Sequence, residues 1–285
     1  MGKALAGKTA LIMGGAGGIG GAAARALLAD GASITLFSRD ETKLAAFAAE
    51  LTPQTSADAT VSYVAGDAQC EPDVEAAVAH ASHDGALDIC VSTVGRGHTV
   101  PLLLNDADRF TDELRVNITT AFIAIKYCVP AMVEAGGGSL VFTSSVIARQ
   151  SYPYMSGYCA GKAGLEGLVR AAADEIGHLG VRINCVRPGL VRAPGNPKTG
   201  ALFEGDREQL FLEQTPLGRT GTPHDIGAAI RYLAGPESGW VTGTSLNIDG
   251  GAHLRRSPDM TSLLRDTLGN PTVDSLLAGR IPQRR

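Results

Sequence analysis

Short apolar runs recur along this chain, separated by longer stretches of helical periodicity, and this alternation restricts the fold more than any other feature. Runs at residues 9–13, 33–37, 61–65, 87–93, 139–143, 182–186 and 245–248 are too short for buried helices. Their composition and length predict buried strands. Between them, residues 22–29, a stretch ending near 51, and residues 72–80, 108–135 and 157–179 carry helical patterns. A strand followed by a helix and another strand needs a crossover, so the rhythm predicts parallel pairing with helices on both faces. The predicted fold is α/β: a single doubly wound domain over residues 1–251, its seven-stranded parallel sheet flanked by helices. Two segments break the rhythm. Residues 193–216 are loop-rich with one amphipathic stretch around 202–212, and they read as a lid over a site. Residues 252–285 hold six Arg against three Asp, a basic C-terminal extension on an acidic body. The pairs Leu263-Leu264 and Leu276-Leu277 favour its docking over a loose tail.

Charge and cysteine usage narrow the function classes. A net charge of −4 gives no case for a nucleic-acid partner. The five cysteines (70, 90, 128, 159 and 185) form no Cys-x-x-Cys pair, which argues against a metal site or a disulfide framework and fits a reducing, cytoplasmic location. Neither a signal peptide nor a membrane span is expected.

The glycines after the first strand point to a ligand. Gly14, Gly17, Gly18 and Gly20 lie between a strand and a helix, with Ile19 among them. Gly14 permits the turn, and Gly18 lets the backbone approach a pyrophosphate seated on the helix N-terminus. A carboxylate after the second strand would bind a ribose 2′-hydroxyl. The chain instead has Ser38-Arg39, a hydroxyl and a bidentate phosphate binder, which favours NADP over NAD. Asp40 would reverse the preference if its carboxylate turned inward.

Tyr158 precedes Lys162 by four residues, one helical turn, so a phenol and an ammonium share a helix face. Bringing a phenol from about 10 to about 7 takes roughly 4 kcal/mol, which one cation at about 4 Å supplies at an effective dielectric of about 20. The pair therefore reads as a general acid/base with a lowered phenol pKa.

With these motifs in order, the chain resembles the short-chain dehydrogenase/reductase family from about residue 5 to 252. Asp67 after the third strand matches the family aspartate near the adenine, with Ala68 following. Ser92-Thr93-Val94-Gly95 stands where the family has Asn-Asn-Ala-Gly. Asn117, Ser145, Tyr158 and Lys162 match the catalytic set. Pro188-Gly189 follows the sixth strand, and Pro216–Arg219 with Asp249–Gly251 matches the C-terminal signature. The resemblance implies a Rossmann-type domain that transfers hydride between nicotinamide and a substrate carbon. Tyr158 exchanges a proton with the substrate oxygen, Ser145 hydrogen-bonds that oxygen, and Lys162 lowers the Tyr158 pKa and holds the nicotinamide ribose. Asn117 holds a water linking Lys162 to solvent. Thr93, Val94, Gly95, Pro188, Gly189 and Val191 line the cofactor. It further implies a homotetramer assembled through the helices around 110–135 and 157–179.

Some residues depart from the family pattern. Met13 replaces a Thr, Ser92-Thr93-Val94 replaces Asn-Asn-Ala, and Ala193 stands where a Thr often bonds the carboxamide, a task that backbone at Val191 can take. The expected function is NADP(H)-dependent interconversion of a ketone and a secondary alcohol, with NAD as the other cofactor. The alternatives are a 3-oxoacyl thioester reductase and a catalytically silent nucleotide-binding regulator. Pocket candidates are Arg96, His98, Ile147, Arg149, Tyr152, Tyr154 and the 193–216 lid. Arg96 and Arg149 would suit an acidic or thioester substrate, and His98 reads as a loop surface group.

Overall fold

A computed structural model describes residues 3–55, 59–82, 86–193 and 200–281. The strands β1 (Thr9–Met13), β2 (Ser33–Ser38), β3 (Val61–Ala65), β4 (Ile89–Ser92), β5 (Gly138–Thr143), β6 (Val181–Pro188) and β7 (Ser245–Ile248) form one sheet in the order β3-β2-β1-β4-β5-β6-β7. Every pairing is parallel. The order reverses between β1 and β4, and the crevice beyond the strand ends at that reversal is where doubly wound sheets bind ligands.

Strand periodicity sorts the core into two layers. Ala10 and Ile12 of β1 face one side, with Leu27 of α1 (Gly18–Ala29), Leu44 of α2 (Glu41–Leu51) and Ile230 of α8 (Pro223–Ala234). Leu11 and Met13 face the other, with Val74 of α3 (Glu71–Ala81), Ile123 of α5 (Thr120–Glu134) and Val169 of α6 (Ser156–Ile176). Residues 107–134 are long and apolar enough to cross a membrane by length and composition. Here they lie along the sheet, with Ile123, Ala124, Cys128 and Met132 buried.

The expected helix over 108–135 is interrupted. It begins as α4 (Ala107–Leu114), passes through a π segment at Arg115–Thr119 and resumes as α5. The Asn117 side chain donates to the Glu113 carbonyl at 2.8 Å, entering the backbone ladder that an α-helix would keep to itself. A second difference is α8, where no helix was expected. Thr222 and Asp225 cap it reciprocally and Pro223 occupies its first turn. The expected amphipathic stretch is present as α7 (Arg207–Glu213), while residues 194–199 of the expected lid lie outside the described residues.

The extension is ordered into α9 (Thr261–Leu268) and α10 (Asn270–Leu277). Met260, Leu264 and Val273 are buried beneath it, whereas Leu277 is exposed.

Gly20 marks where α1 meets the turn after β1. A Cβ there would land well inside the contact shell of the Gly14 carbonyl oxygen, and backbone cannot swing aside as a side chain does. Gly20→Ala is expected to destabilise the fold by about 1–3 kcal/mol, read as a lower urea midpoint at unchanged slope.

Candidate active site

The turn from β1 into α1 is built from backbone that only glycine adopts freely. Gly14, Gly17 and Gly18 have φ of 82°, 135° and 54°. No atom lies within 4 Å of a Cβ placed on Gly17, so the α1 N-terminus opens onto free space, a cradle suited to a pyrophosphate. The Thr93 hydroxyl reaches the carbonyls of Met13 and Gly14, each at 3.3 Å, and ties β4 to this turn. That contact restores a polar link where Met13 lacks a hydroxyl.

Beyond β2, Ser38, Arg39, Asp67 and Ala68 line a cavity of about 280 Å³ together with Gly14, Thr93, Val94 and Gly95. The Ser38 hydroxyl has no hydrogen-bond partner there. Asp40 does not turn inward. Its carboxylate caps α2, accepting the Lys43 N–H at 3.0 Å and pairing with Lys43 Nζ at 2.8 Å. Asp67 accepts the Gln69 N–H and holds the corner after β3.

A larger cavity of about 570 Å³ joins two sets of residues. Gly17, Gly18, Ile19, Pro188, Gly189 and Val191 line it together with Ser145, Tyr158 and Lys162. Helix α6 places Tyr158 and Lys162. It can lie close on the segment 113–118 because Gly157, Gly161 and Gly164 present no side chains. A Cβ on Gly161 would sit 3.0 Å from Asn117 Cβ, and one on Gly164 2.5 Å from Ile118 Cδ1. On the other side Gly97 lies against the Tyr158 ring, where a Cβ would stand 2.5 Å from Cγ.

Ser144 and Ser145 have different work. Ser144 Oγ donates to buried Glu166 at 2.7 Å, and Arg187 clamps the same carboxylate with bonds of 2.9 and 2.6 Å. Burial raises the Glu166 pKa, but the Arg187 guanidinium and the Ser144 hydroxyl outweigh it and hold the carboxyl below its usual range. Ser145 faces the cavity and its hydroxyl hydrogen-bonds Tyr158.

The lowered Tyr158 pKa expected from the sequence is not found. Burial pushes it up to about 12, against the pull of the Ser145 hydrogen bond. Lys162 Nζ donates to the Thr143 carbonyl at 2.7 Å and sits 5.7 Å from the centre of the Tyr158 ring. Burial brings that ammonium down to about 8. Sequence spacing places both residues on one face, but the long lysine side chain follows the carbonyl at the end of β5.

Asn117 is also engaged by backbone. Its Nδ2 donates to the carbonyls of Arg96 and Glu113, and its Oδ1 accepts the Arg96 N–H at 3.3 Å. It adjoins Lys162 through Gly95, whose Cβ would stand 2.8 Å from Asn117 Oδ1 and 2.6 Å from Lys162 Nζ.

Of the other candidates, Ile147, Tyr152 and Ala193 line the large cavity, while Arg96, His98, Arg149 and Tyr154 do not. Arg96 pairs with Asp112, and Arg149 lies 3.8 Å from Glu166. His98 is held through its N–H and Nδ1 by Glu113, a carboxylate 1% exposed. Sequence reasoning missed Lys43, Met155 and Met260 in the cavity wall. Only Lys43 had a legible signal, as a cation in the first turn after the second strand.

Residues 14–253 match a family model described as Enoyl-(Acyl carrier protein) reductase. The chain is 35% identical over 254 residues to a 3-alpha-(or 20-beta)-hydroxysteroid dehydrogenase of Mycobacterium bovis, covering 87% of this chain and 90% of that one. It is 29% identical over 248 residues to a 3-oxoacyl-[acyl-carrier-protein] reductase of Rickettsia conorii, covering 87% and 97%. The solved structure of a short-chain type dehydrogenase/reductase from Mycobacterium ulcerans superposes with a TM-score of 0.89 at 29% identity, covering 95% of this chain and 98% of that one.

The buried lysine has a consequence for stability against pH. Its folded pKa lies below its usual 10.5, so between about pH 8 and 10.5 the unfolded chain binds more protons. The cost of burying the ammonium is full below pH 8 and is relieved as pH rises through that window. The unfolding free energy of the native chain is therefore expected to climb from pH 8 to 10 relative to that of Lys162→Met, measured by urea titration at each pH.

Proposed function

The chain belongs to the short-chain dehydrogenase/reductase family, and from that footing we propose that it is an NADP(H)-dependent oxidoreductase interconverting a ketone and a secondary alcohol, with Tyr158 exchanging the proton. The observation that carries this reading is the single cavity in which the glycine turn and the Pro188–Val191 segment meet Ser145, Tyr158 and Lys162. The dinucleotide, when bound, supplies or accepts the hydride. The chain's own task is to bind, orient and move one proton. In reduction Tyr158 Oη donates to the carbonyl oxygen, and its high pKa keeps the hydroxyl protonated for that step. The resulting phenolate regains its proton from solvent. Ser145 Oγ hydrogen-bonds the same oxygen as negative charge develops there. Lys162 supplies a cation near the phenolate, and Asn117 fixes the Gly95 wall against which Lys162 lies.

NADP is favoured by Ser38 and Arg39 at the end of β2 and by the turning of Asp40 onto its own helix. Arg39 is exposed and makes no ion pair among the described residues, so its guanidinium is free for a 2′-phosphate. A second reading, reduction of a 3-oxoacyl thioester, is supported by the similarity to the Rickettsia enzyme. Exposed Phe122 and Val133 on α5 support assembly through that helix into a homotetramer, and the free cysteines fit a cytoplasmic location.

Titration with NADPH and NADH, followed by nucleotide fluorescence, is expected to show NADPH binding at least about tenfold tighter, a difference of about 1.4 kcal/mol. Tighter NADH binding would overturn the 2′-phosphate assignment. Tyr158→Phe is expected to keep nucleotide binding and to lose at least about 100-fold in kcat. Turnover that survives this change would remove Tyr158 from the proton step.

A further inference from the structure

We propose that residues 255–277 complete the substrate compartment, with Met260 as the side chain this segment contributes to its wall. The compartment so formed takes a free, uncharged, apolar ketone or secondary alcohol rather than a substrate tethered to a carrier. The inference rests on the oxidoreductase reading and names the substrate class for that site.

Met260 is 4% exposed and lines the same cavity as Ser145 and Tyr158. The segment that carries it is fastened at three points. Gln150, five residues after Ser145, donates from Nε2 to the carbonyls of Ala252 and Arg255 at 2.8 and 2.7 Å. Arg255 donates to the Glu213 carbonyl at the end of α7, and Arg207 at the start of α7 pairs with Asp266 of α9. Leu264 and Val273 are buried beneath. The segment thus links the loop after the reactive serine to the helix that closes the cavity.

The chemistry of the wall sets the ligand. On the substrate side Ile147, Met155, Leu202, Phe211 and Met260 are apolar, and the polar groups are the hydroxyls of Ser145, Tyr152 and Tyr158 and the Lys162 ammonium. No arginine lines the cavity among the described residues. The two lysines of the cavity are already engaged, Lys43 by Asp40 and Lys162 by the Thr143 carbonyl, so a phosphate-bearing carrier arm entering the apolar side would lose hydration without gaining an unpaired cation. An apolar ring or chain gains by burial, with one carbonyl oxygen directed to the hydroxyls. The Rickettsia carrier-substrate reductase matches over 97% of its own length but only 87% of this chain, and the family model stops at residue 253. The segment that supplies Met260 therefore lies beyond the family model.

The test uses the full chain and three variants, Met260→Ala, Met260→Trp and Asp266→Asn, the last altering only an exposed contact of the segment. Binding of an uncharged naphthyl ketone fluorophore, read by its emission shift, requires no hydride transfer. Met260→Trp is expected to weaken it about tenfold or more. With NADPH, Met260→Ala and Asp266→Asn are expected to move the kcat/KM ratio of bicyclic over monocyclic ketones upward, by about tenfold in the first case. The proposal is overturned if the native chain does not bind the fluorophore. Changes under about twofold in binding and ratio, with melting temperatures held, would equally remove Met260 from the wall. A 3-oxoacyl carrier substrate turned over better than any free ketone would overturn the substrate class. Fluorophore binding that responds to Met260→Trp, without turnover of any carbonyl, would instead sustain the wall and sink the oxidoreductase reading.

Discussion

The distance between helix α6 and the segment 113–118 governs the candidate site. Gly157, Gly161 and Gly164 face that segment at spacings of one helical turn, and side chains at these positions would meet Glu113, Asn117 and Ile118. Glycine inside a helix costs roughly 0.5–1 kcal/mol relative to alanine. Three in one helix are explained by what their absence of side chains permits. With the backbones this close, Asn117 and Lys162 border the same glycine, Gly95, and Tyr158 lies against Gly97. One packing constraint thereby sets the positions of residues brought from three separate parts of the chain.

Burial is the dominant electrostatic effect around this helix. It pushes Tyr158 up and Lys162 down, so both favour their neutral forms more than free side chains do. The next helical turn behaves differently. Glu166 is as deeply buried as Lys162, yet a bidentate guanidinium and a serine hydroxyl hold it ionised. Removing one partner of such a pair leaves an uncompensated buried charge, so the pair fixes β6 and the Ser144-Ser145 segment relative to α6. The phenol, the lysine and a buried ion pair thus occupy three successive turns of one face.

Much of the architecture was legible because short apolar runs between helical stretches have few solutions other than a parallel sheet. The glycine turn was legible because its position between a strand and a helix gave the spacing meaning. Helix α8 was missed although Thr222, Pro223 and Asp225 carry its start signals, since the loop-like composition around it masked them. The π segment was not legible. It depends on the Asn117 side chain reaching the Arg96 and Glu113 carbonyls, and the first lies across the fold. The same applies to Lys162, whose hydrogen-bond partner on β5 no local pattern reveals. Contacts made by long side chains between distant elements decided these details, and periodicity carries no record of them.

The order of these parts along the chain has a consequence during synthesis. The glycine turn, helix α6 and the Pro188–Val191 segment all precede residue 192, whereas Leu202, Phe211 and Met260 follow it. Synthesis runs from the N-terminus, and a domain generally folds as a unit once its parts are available. On the ribosome the glycine turn, Ser145, Tyr158 and Lys162 are therefore made before Leu202, Phe211 and Met260, which finish the apolar side begun by Ile147 and Met155. Sheet closure by β7 and docking of the last two helices come together at the end. The enclosure of the cavity thus waits on the last segment of the chain to be made.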